Sequence, residues 1–197
     1  GEYTINQQKD DILMDIYKRQ PDILCLSCYI WNLDYIEEIV LEIGKLRPDM
    51  PIWLGGPEVS YHAEEMLEQY PFLDGIMKGE GEITFRELAV YYQNQENGTE
   101  GKTLEEIHGI TYRDAEGAIK SNPWRPVMDL SEVDFPYANL KKFENRIIYY
   151  ESSRGCPFSC SYCLSSIDKR LRFRNLDRVK KELAFFLEQK VPQVKFV

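Results

Sequence analysis

Apolar residues along the chain follow two spacings in turn. Ile12, Leu13 and Ile16 share one side of a repeat of roughly 3.6 residues, which predicts an amphipathic helix over residues 8–19, stopped by Pro21. Ile23 to Cys28 reads as an apolar run, the pattern of a strand buried on both faces of a parallel sheet. Asn32 then precedes a stripe of Ile36, Ile39, Val40 and Ile43, so a helix capped by Asn32 is expected up to Pro48. Pro51 to Leu54 predicts a second buried strand, ending at Gly55-Gly56-Pro57. A helix from about Tyr61 to Tyr70, a strand from Gly75 to Lys78 and a helix from Gly79 to about Gln93 complete the series. A short strand at residues 3–6 precedes it. Strand and helix alternate four times, which implies a doubly wound α/β fold, a parallel sheet with helices on both faces.

The pattern changes after residue 100. Ile110 to Arg113 and Ala118 to Ser121 flank Asp114-Ala115-Glu116-Gly117 and predict a hairpin. Residues 122–145 hold Pro123, Pro126 and Pro136 and read as an extended linker. Ile147 to Ser153 predicts a strand, Asn175 to Gln189 a helix, and Val191 to Val197 a strand just begun. The expected division is an α/β domain over 1–100, hairpin and linker over 101–145, and the start of a second domain over 146–197. The opening on Gly1 and the strand-like close read as a piece of a longer protein.

Composition narrows the function. An apolar fraction of 43% in 197 residues supplies a real core. A net charge of −9 disfavours nucleic acid as a partner, since phosphates call for a basic surface. No apolar run approaches the ~20 residues of a membrane span, and no signal segment opens the chain, so a cytoplasmic setting is expected. Five cysteines, three of them close together, suit a metal or cluster site better than a disulfide framework.

Those three are Cys156, Cys160 and Cys163, in Cys156-Pro157-Phe158-Ser159-Cys160-Ser161-Tyr162-Cys163. One loop with this spacing can present three thiolates to one face of a cubane iron–sulfur cluster. Three ligands leave one iron open to bind substrate. The competing reading is a structural zinc site with His108 or Cys28 as fourth ligand, although zinc knuckles usually pair cysteines two apart at both ends.

The triplet, with Tyr162 before its last cysteine, resembles the signature of the radical S-adenosylmethionine superfamily. Ser152-Ser153-Arg154-Gly155-Cys156-Pro157 resembles the form found in members with an N-terminal cobalamin (B12) domain. Residues Asp129 to Tyr137 resemble the linker of that group, and Arg172 to Val179 the stretch after its cluster loop. The resemblance implies that Cys156, Cys160 and Cys163 ligate a 4Fe-4S cluster whose open iron chelates S-adenosylmethionine, with Tyr162 beside the adenine. Reductive cleavage would then give a 5′-deoxyadenosyl radical, with cobalamin assisting methyl transfer, cyclisation or rearrangement. The second domain would be the first β-α unit of an incomplete (β/α) barrel, inactive alone. The implied partners are a small-molecule or cofactor-precursor substrate and an electron donor such as flavodoxin or ferredoxin.

In an open α/β sheet, ligands sit beyond the carboxyl ends of the strands. The loops expected there are Ser27 to Asn32, Gly55 to Glu58 and Gly79 to Glu82. The Gly-Gly-Pro-Glu and Gly-Glu-Gly-Glu turns resemble those of the cobalamin domain. The resemblance implies cobalamin contacts at Ser27, Cys28, Tyr29, Gly55, Gly56, Pro57, Gly79, Glu80 and Gly81, each glycine being equally well read as a plain turn residue. The Asp-x-His-x-x-Gly motif that places a histidine below cobalt is absent from these residues. His62 reads as an exposed first-turn residue, His108 as structural, and Cys25 as packing, with Cys28 open. Lys169, Arg170, Arg172, Arg174, Arg178, Lys180 and Lys181 read as a solvated face rather than an RNA patch. The rival functions are a methylthiotransferase-like radical enzyme, a nucleotide- or flavin-binding module with structural zinc, and a cobalamin carrier or sensor.

Overall fold

A computed structural model describes residues 3, 6–144, 146–163 and 170–197 and divides the chain in two, up to Pro126 and from Val127. Residues 4 and 5 of the expected first strand, and Asp168 and Lys169, lie outside the described residues.

In the first unit, α1 (Lys9–Arg19) precedes three strand–helix repeats: β1 (Leu24–Ser27) with α2 (Leu33–Leu46), β2 (Ile52–Gly55) with α3 (Ala63–Gln69), and β3 (Gly75–Met77) with α4 (Gly81–Asn97). The strands β1, β2 and β3 are parallel neighbours. Their side chains alternate between two cores. Leu24, Ile52, Leu54 and Ile76 pack with Ile12, Ile16, Ile36, Ile39, Val40, Ile43 and Leu67 from α1, α2 and α3. Trp53 and Met77 point to the other face, where Leu88, Tyr91 and Tyr92 of α4 cover them. This period-two division is why the strands read as continuous apolar runs. Trp53 lies opposite Gly75 in the register, and a Cβ at 75 would stand 2.3 Å from its ring.

The hairpin departs from the expectation of a connecting element. Strands β4 (Ile110–Arg113) and β5 (Ile119–Ser121) extend the sheet antiparallel to β3, giving the order β1-β2-β3-β4-β5. The sheet is therefore mixed. The open edge of β3 carries unpaired backbone groups, and the hairpin satisfies them.

In the second unit, β6 (Ile148–Tyr150) runs parallel to β9 (Val194–Phe196), with α5 (Leu176–Glu188) between them in sequence. Asn175 caps α5 by accepting from the amides of Asp177 and Arg178. Between these elements, β7 (Ser153–Arg154) pairs antiparallel with β8 (Arg172–Phe173). The stretch expected as an extended linker is built instead into this unit from Val127 onward. It makes tight helical turns at Leu130–Glu132 and Leu140–Phe143, and Phe135, Tyr137 and Phe143 pack with Phe185 and Phe186 of α5. Aromatic burial outweighs the extended preference of its prolines. Among the described residues, no helix is long and apolar enough to cross a membrane.

Candidate functional site

The carboxyl ends of β1, β2 and β3 run into the three turns anticipated from the sequence, the last two bearing glycine, and the fold ties them together. The Cys28 amide donates to the Gly55 carbonyl at 2.7 Å, and the Glu58 amide donates to the Cys28 carbonyl at 3.4 Å. Gly56 has φ +99°, and a Cβ there would meet the Cys28 carbonyl oxygen at 2.5 Å, so both conformation and space call for glycine. Asn32 does not cap α2 with its side chain. Its oxygen accepts from the Tyr29 amide and its nitrogen donates to the Ser27 carbonyl, which closes the β1 turn. A local turn bond has displaced the capping bond.

Ser60 links the other two turns. Its hydroxyl donates to the Gly56 carbonyl at 2.7 Å and accepts from the Gly79 amide at 3.1 Å. Ser60 carries no sequence signal beyond being a small polar residue after Gly-Gly-Pro-Glu, and it was not among the anticipated residues. Lys78 and Trp124 were missed as well. Lys78 is buried at the end of β3, and its Nζ donates to Ser121 Oγ at 2.9 Å and to the Asn122 carbonyl at 3.0 Å. Burial lowers its pKa. The Trp124 ring lies 5.6 Å from that ammonium and borders Gly79. These partners sit more than forty residues apart in the chain (44 for Lys78 and Asn122), beyond the reach of local pattern.

Among the implied contacts, Ser27 and Gly79 are exposed, while Gly55 is buried and the Cys28 side chain is 0% exposed. Burial pushes the Cys25 thiol up to about 11 and the Cys28 thiol up to about 12. Burial of both side chains suits the packing role expected for Cys25. A Cβ at Gly81 would meet nothing within 4 Å, so the last turn offers open backbone to a ligand. The acidic Glu80 and Glu82 beside this open backbone disfavour a free phosphate there.

The cysteine loop is closed at its base. The β7–β8 ladder joins its two ends, and the Arg174 amide donates to the Ser152 carbonyl at 2.9 Å. Gly155 has φ +95°, with a Cβ position only 2.2 Å from the Arg170 carbonyl oxygen. Cys160 is exposed, Cys156 and Cys163 are half-buried, and Tyr162 is 92% exposed. The Cys163 amide donates to the Cys160 carbonyl. Among the described residues no three His, Cys, Asp or Glu side chains converge to metal-binding distance. The chemistry of the donor set, three sulfurs on one loop, fits an iron–sulfur cluster.

The basic run is a solvated face at Arg170, Lys180 and Lys181, but not at Arg172, Arg174 and Arg178. Arg174 is 5% exposed and forms a forked ion pair with Glu182, at 2.6 and 2.9 Å, which Tyr150 and Arg178 also bond. Arg172, Arg174 and Arg178 donate to the carbonyls of Met128, Leu130, Ser131 and Val133. The arginines thus fasten the approach segment to the base of the cysteine loop. The one local clue was the Arg178–Glu182 spacing of four. His62 is exposed and lies 3.1 Å from Glu65, and His108 is exposed, with its carbonyl accepting from Thr84 and Arg125.

Residues 3–89 match the B12 binding domain. Over 87% of its length the chain is 28% identical to the cobalamin-dependent radical SAM methyltransferase TokK of Streptomyces tokunonensis, covering 26% of that protein. Residues 3–89 thus carry a B12 binding domain, and most of the chain is similar to a cobalamin-dependent radical SAM methyltransferase. The chain is also 28% identical, over the same share of both chains, to the 2-(S-pantetheinyl)-carbapenam-3-carboxylate methyltransferase of Streptantibioticus cattleyicolor. A solved structure of the cobalamin-dependent S-adenosylmethionine radical enzyme OxsB, with aqua-cobalamin and S-adenosylmethionine bound, shares the fold. Its TM-score is 0.73 at 24% identity, over 98% of this chain and 27% of that one. The chain thus spans about a quarter of the length of these proteins.

Proposed function

We propose that this chain carries the cofactor-handling elements of a B12-dependent radical S-adenosylmethionine enzyme, with a methyltransferase as the nearest reaction class. The observation that carries the reading is the three-thiol loop, pinned at its base by β7 and β8, in the same chain as a B12 binding domain. The cysteines Cys156, Cys160 and Cys163 would hold a 4Fe-4S cluster, and Tyr162 would lie beside the adenine of S-adenosylmethionine. The turns at Ser27–Tyr29, Gly55–Pro57 and Gly79–Gly81 would hold the cobalamin.

When bound, these groups supply reductive cleavage of S-adenosylmethionine and corrinoid-assisted methyl transfer, cyclisation or rearrangement. The chain's own part is placement. Glycine turns let backbone approach the corrinoid, and the Arg172–Arg174–Arg178 clamp fixes where the thiols emerge. The substrate is a small molecule or cofactor precursor, and the electron comes from a flavodoxin- or ferredoxin-type donor.

Anaerobic reconstitution with iron and sulfide tests the reading, with iron, sulfide and zinc assayed in wild type and Cys160→Ala. About four irons and four sulfides per chain, lost in the variant, is the expected result. Zinc near one per chain without sulfide would overturn it in favour of a binding module with a metal knuckle.

A further inference from the structure

Trp124 lies outside the matched B12 binding domain, in the segment after β5, yet the fold brings it to the turn after β3. Its ring carbons stand 3.4 and 3.5 Å from where a Cβ on Gly79 would be. Tyr61 packs against it, with ring centroids 5.3 Å apart and planes tilted by 33°. Tyr61 directly follows Ser60, the residue that bonds both the Gly56 carbonyl and the Gly79 amide. The aromatic pair is therefore continuous with the two glycine turns.

The pair is also held in place. Lys78 Nζ is fixed by Ser121 and Asn122 and lies 5.6 Å from the Trp124 ring centroid. Next in sequence, Arg125 bonds Thr84 at 2.9 Å and pairs with Glu87 of α4. Despite this anchoring, Trp124 and Tyr61 remain 47% and 48% exposed. Two adjacent aromatic rings left half in water form an apolar surface open to a ligand. A rigid aromatic surface loses little conformational entropy when a ligand packs on it.

We propose that the Tyr61–Trp124 pair is a wall of the ligand site, packing on an apolar part of a corrinoid seated over the Gly56 and Gly79 turns. The inference rests on the corrinoid reading of those turns. It adds to the binding domain a residue supplied by the segment after the hairpin, brought there by the pairing of β4 with β3.

Hydroxocobalamin titrated into the 197-residue chain, followed by the corrin absorbance bands, tests this. Trp124→Ala is expected to weaken binding about tenfold, Tyr61→Leu about threefold, and Trp124→Phe less than either. Should Trp124→Ala fail to fold by circular dichroism, Tyr61→Leu and Trp124→Phe decide alone, because each keeps an apolar group in place. Unchanged affinity in folded Trp124→Ala and Tyr61→Leu, beside a wild type that binds, would overturn the wall and leave the corrinoid reading standing. A wild type that does not bind hydroxocobalamin would overturn both.

Discussion

The two candidate ligand regions of this chain are built in different ways. The glycine turns of the first unit are held from all sides, by backbone bonds at Cys28, by the Asn32 side chain and by the Ser60 hydroxyl. The cysteine loop of the second unit is fastened at its base by the β7–β8 ladder and the arginine clamp, with Cys160 and Tyr162 exposed and Cys156 and Cys163 half-buried. The first is a seat formed by the fold. The second is a loop anchored at its base, and a cluster bound there would order it further.

The base of the cysteine loop should be where a substitution costs most. Removing the Glu182 carboxylate leaves the Arg174 guanidinium buried and unpaired, so Glu182→Ala should destabilise the chain by about 3–5 kcal/mol in chemical denaturation. Glu182 also sets a pH dependence. Burial raises its carboxyl, but the bonds from Arg174, Tyr150 and Arg178 outweigh burial and hold it below its ordinary 4.5. A carboxyl depressed on folding contributes stability above its unfolded pKa and loses it as pH falls through the lower folded value. Wild type should therefore weaken on acidification below about 4.5, and Glu182→Gln should show a shallower loss.

Two glycines sharpen the contrast. Gly56→Ala and Gly155→Ala each force a side chain into left-handed backbone and against a carbonyl oxygen, a cost of about 3 kcal/mol at either place. Their consequences should separate. Gly56→Ala should abolish hydroxocobalamin binding and leave iron uptake intact. Gly155→Ala should cut iron uptake and leave corrinoid affinity within about twofold. Equal loss of both ligands in either variant would break the comparison. Ser60→Ala should be milder, destabilising by about 1–2 kcal/mol through the lost bonds to Gly56 and Gly79, and weakening corrinoid binding severalfold.

Local signals made the first seat partly legible. The alternation of Leu24, Ile52, Leu54 and Ile76 with helical stripes foretold the sheet, and the sheet placed the turns. The cysteine spacing foretold the loop. What stayed hidden depends on partners distant in the chain. Arg172, Arg174 and Arg178 read as a charged face because the carbonyls they bond lie 41 to 47 residues earlier. The pairing of β4 with β3 follows from an open sheet edge, which no local pattern announces. Asn32 has the right residue type for a cap and spends its side chain on the preceding turn.

Amide hydrogen exchange on the chain before and after anaerobic reconstitution with iron and sulfide tests the contrast most directly. Peptides spanning 55–60 and 76–81 should be protected from the start and unchanged by reconstitution. A peptide spanning 155–163 should exchange rapidly at first and slow at least about tenfold once iron and sulfide are bound. Equal protection of the cysteine loop before reconstitution would contradict the view that its cluster completes it.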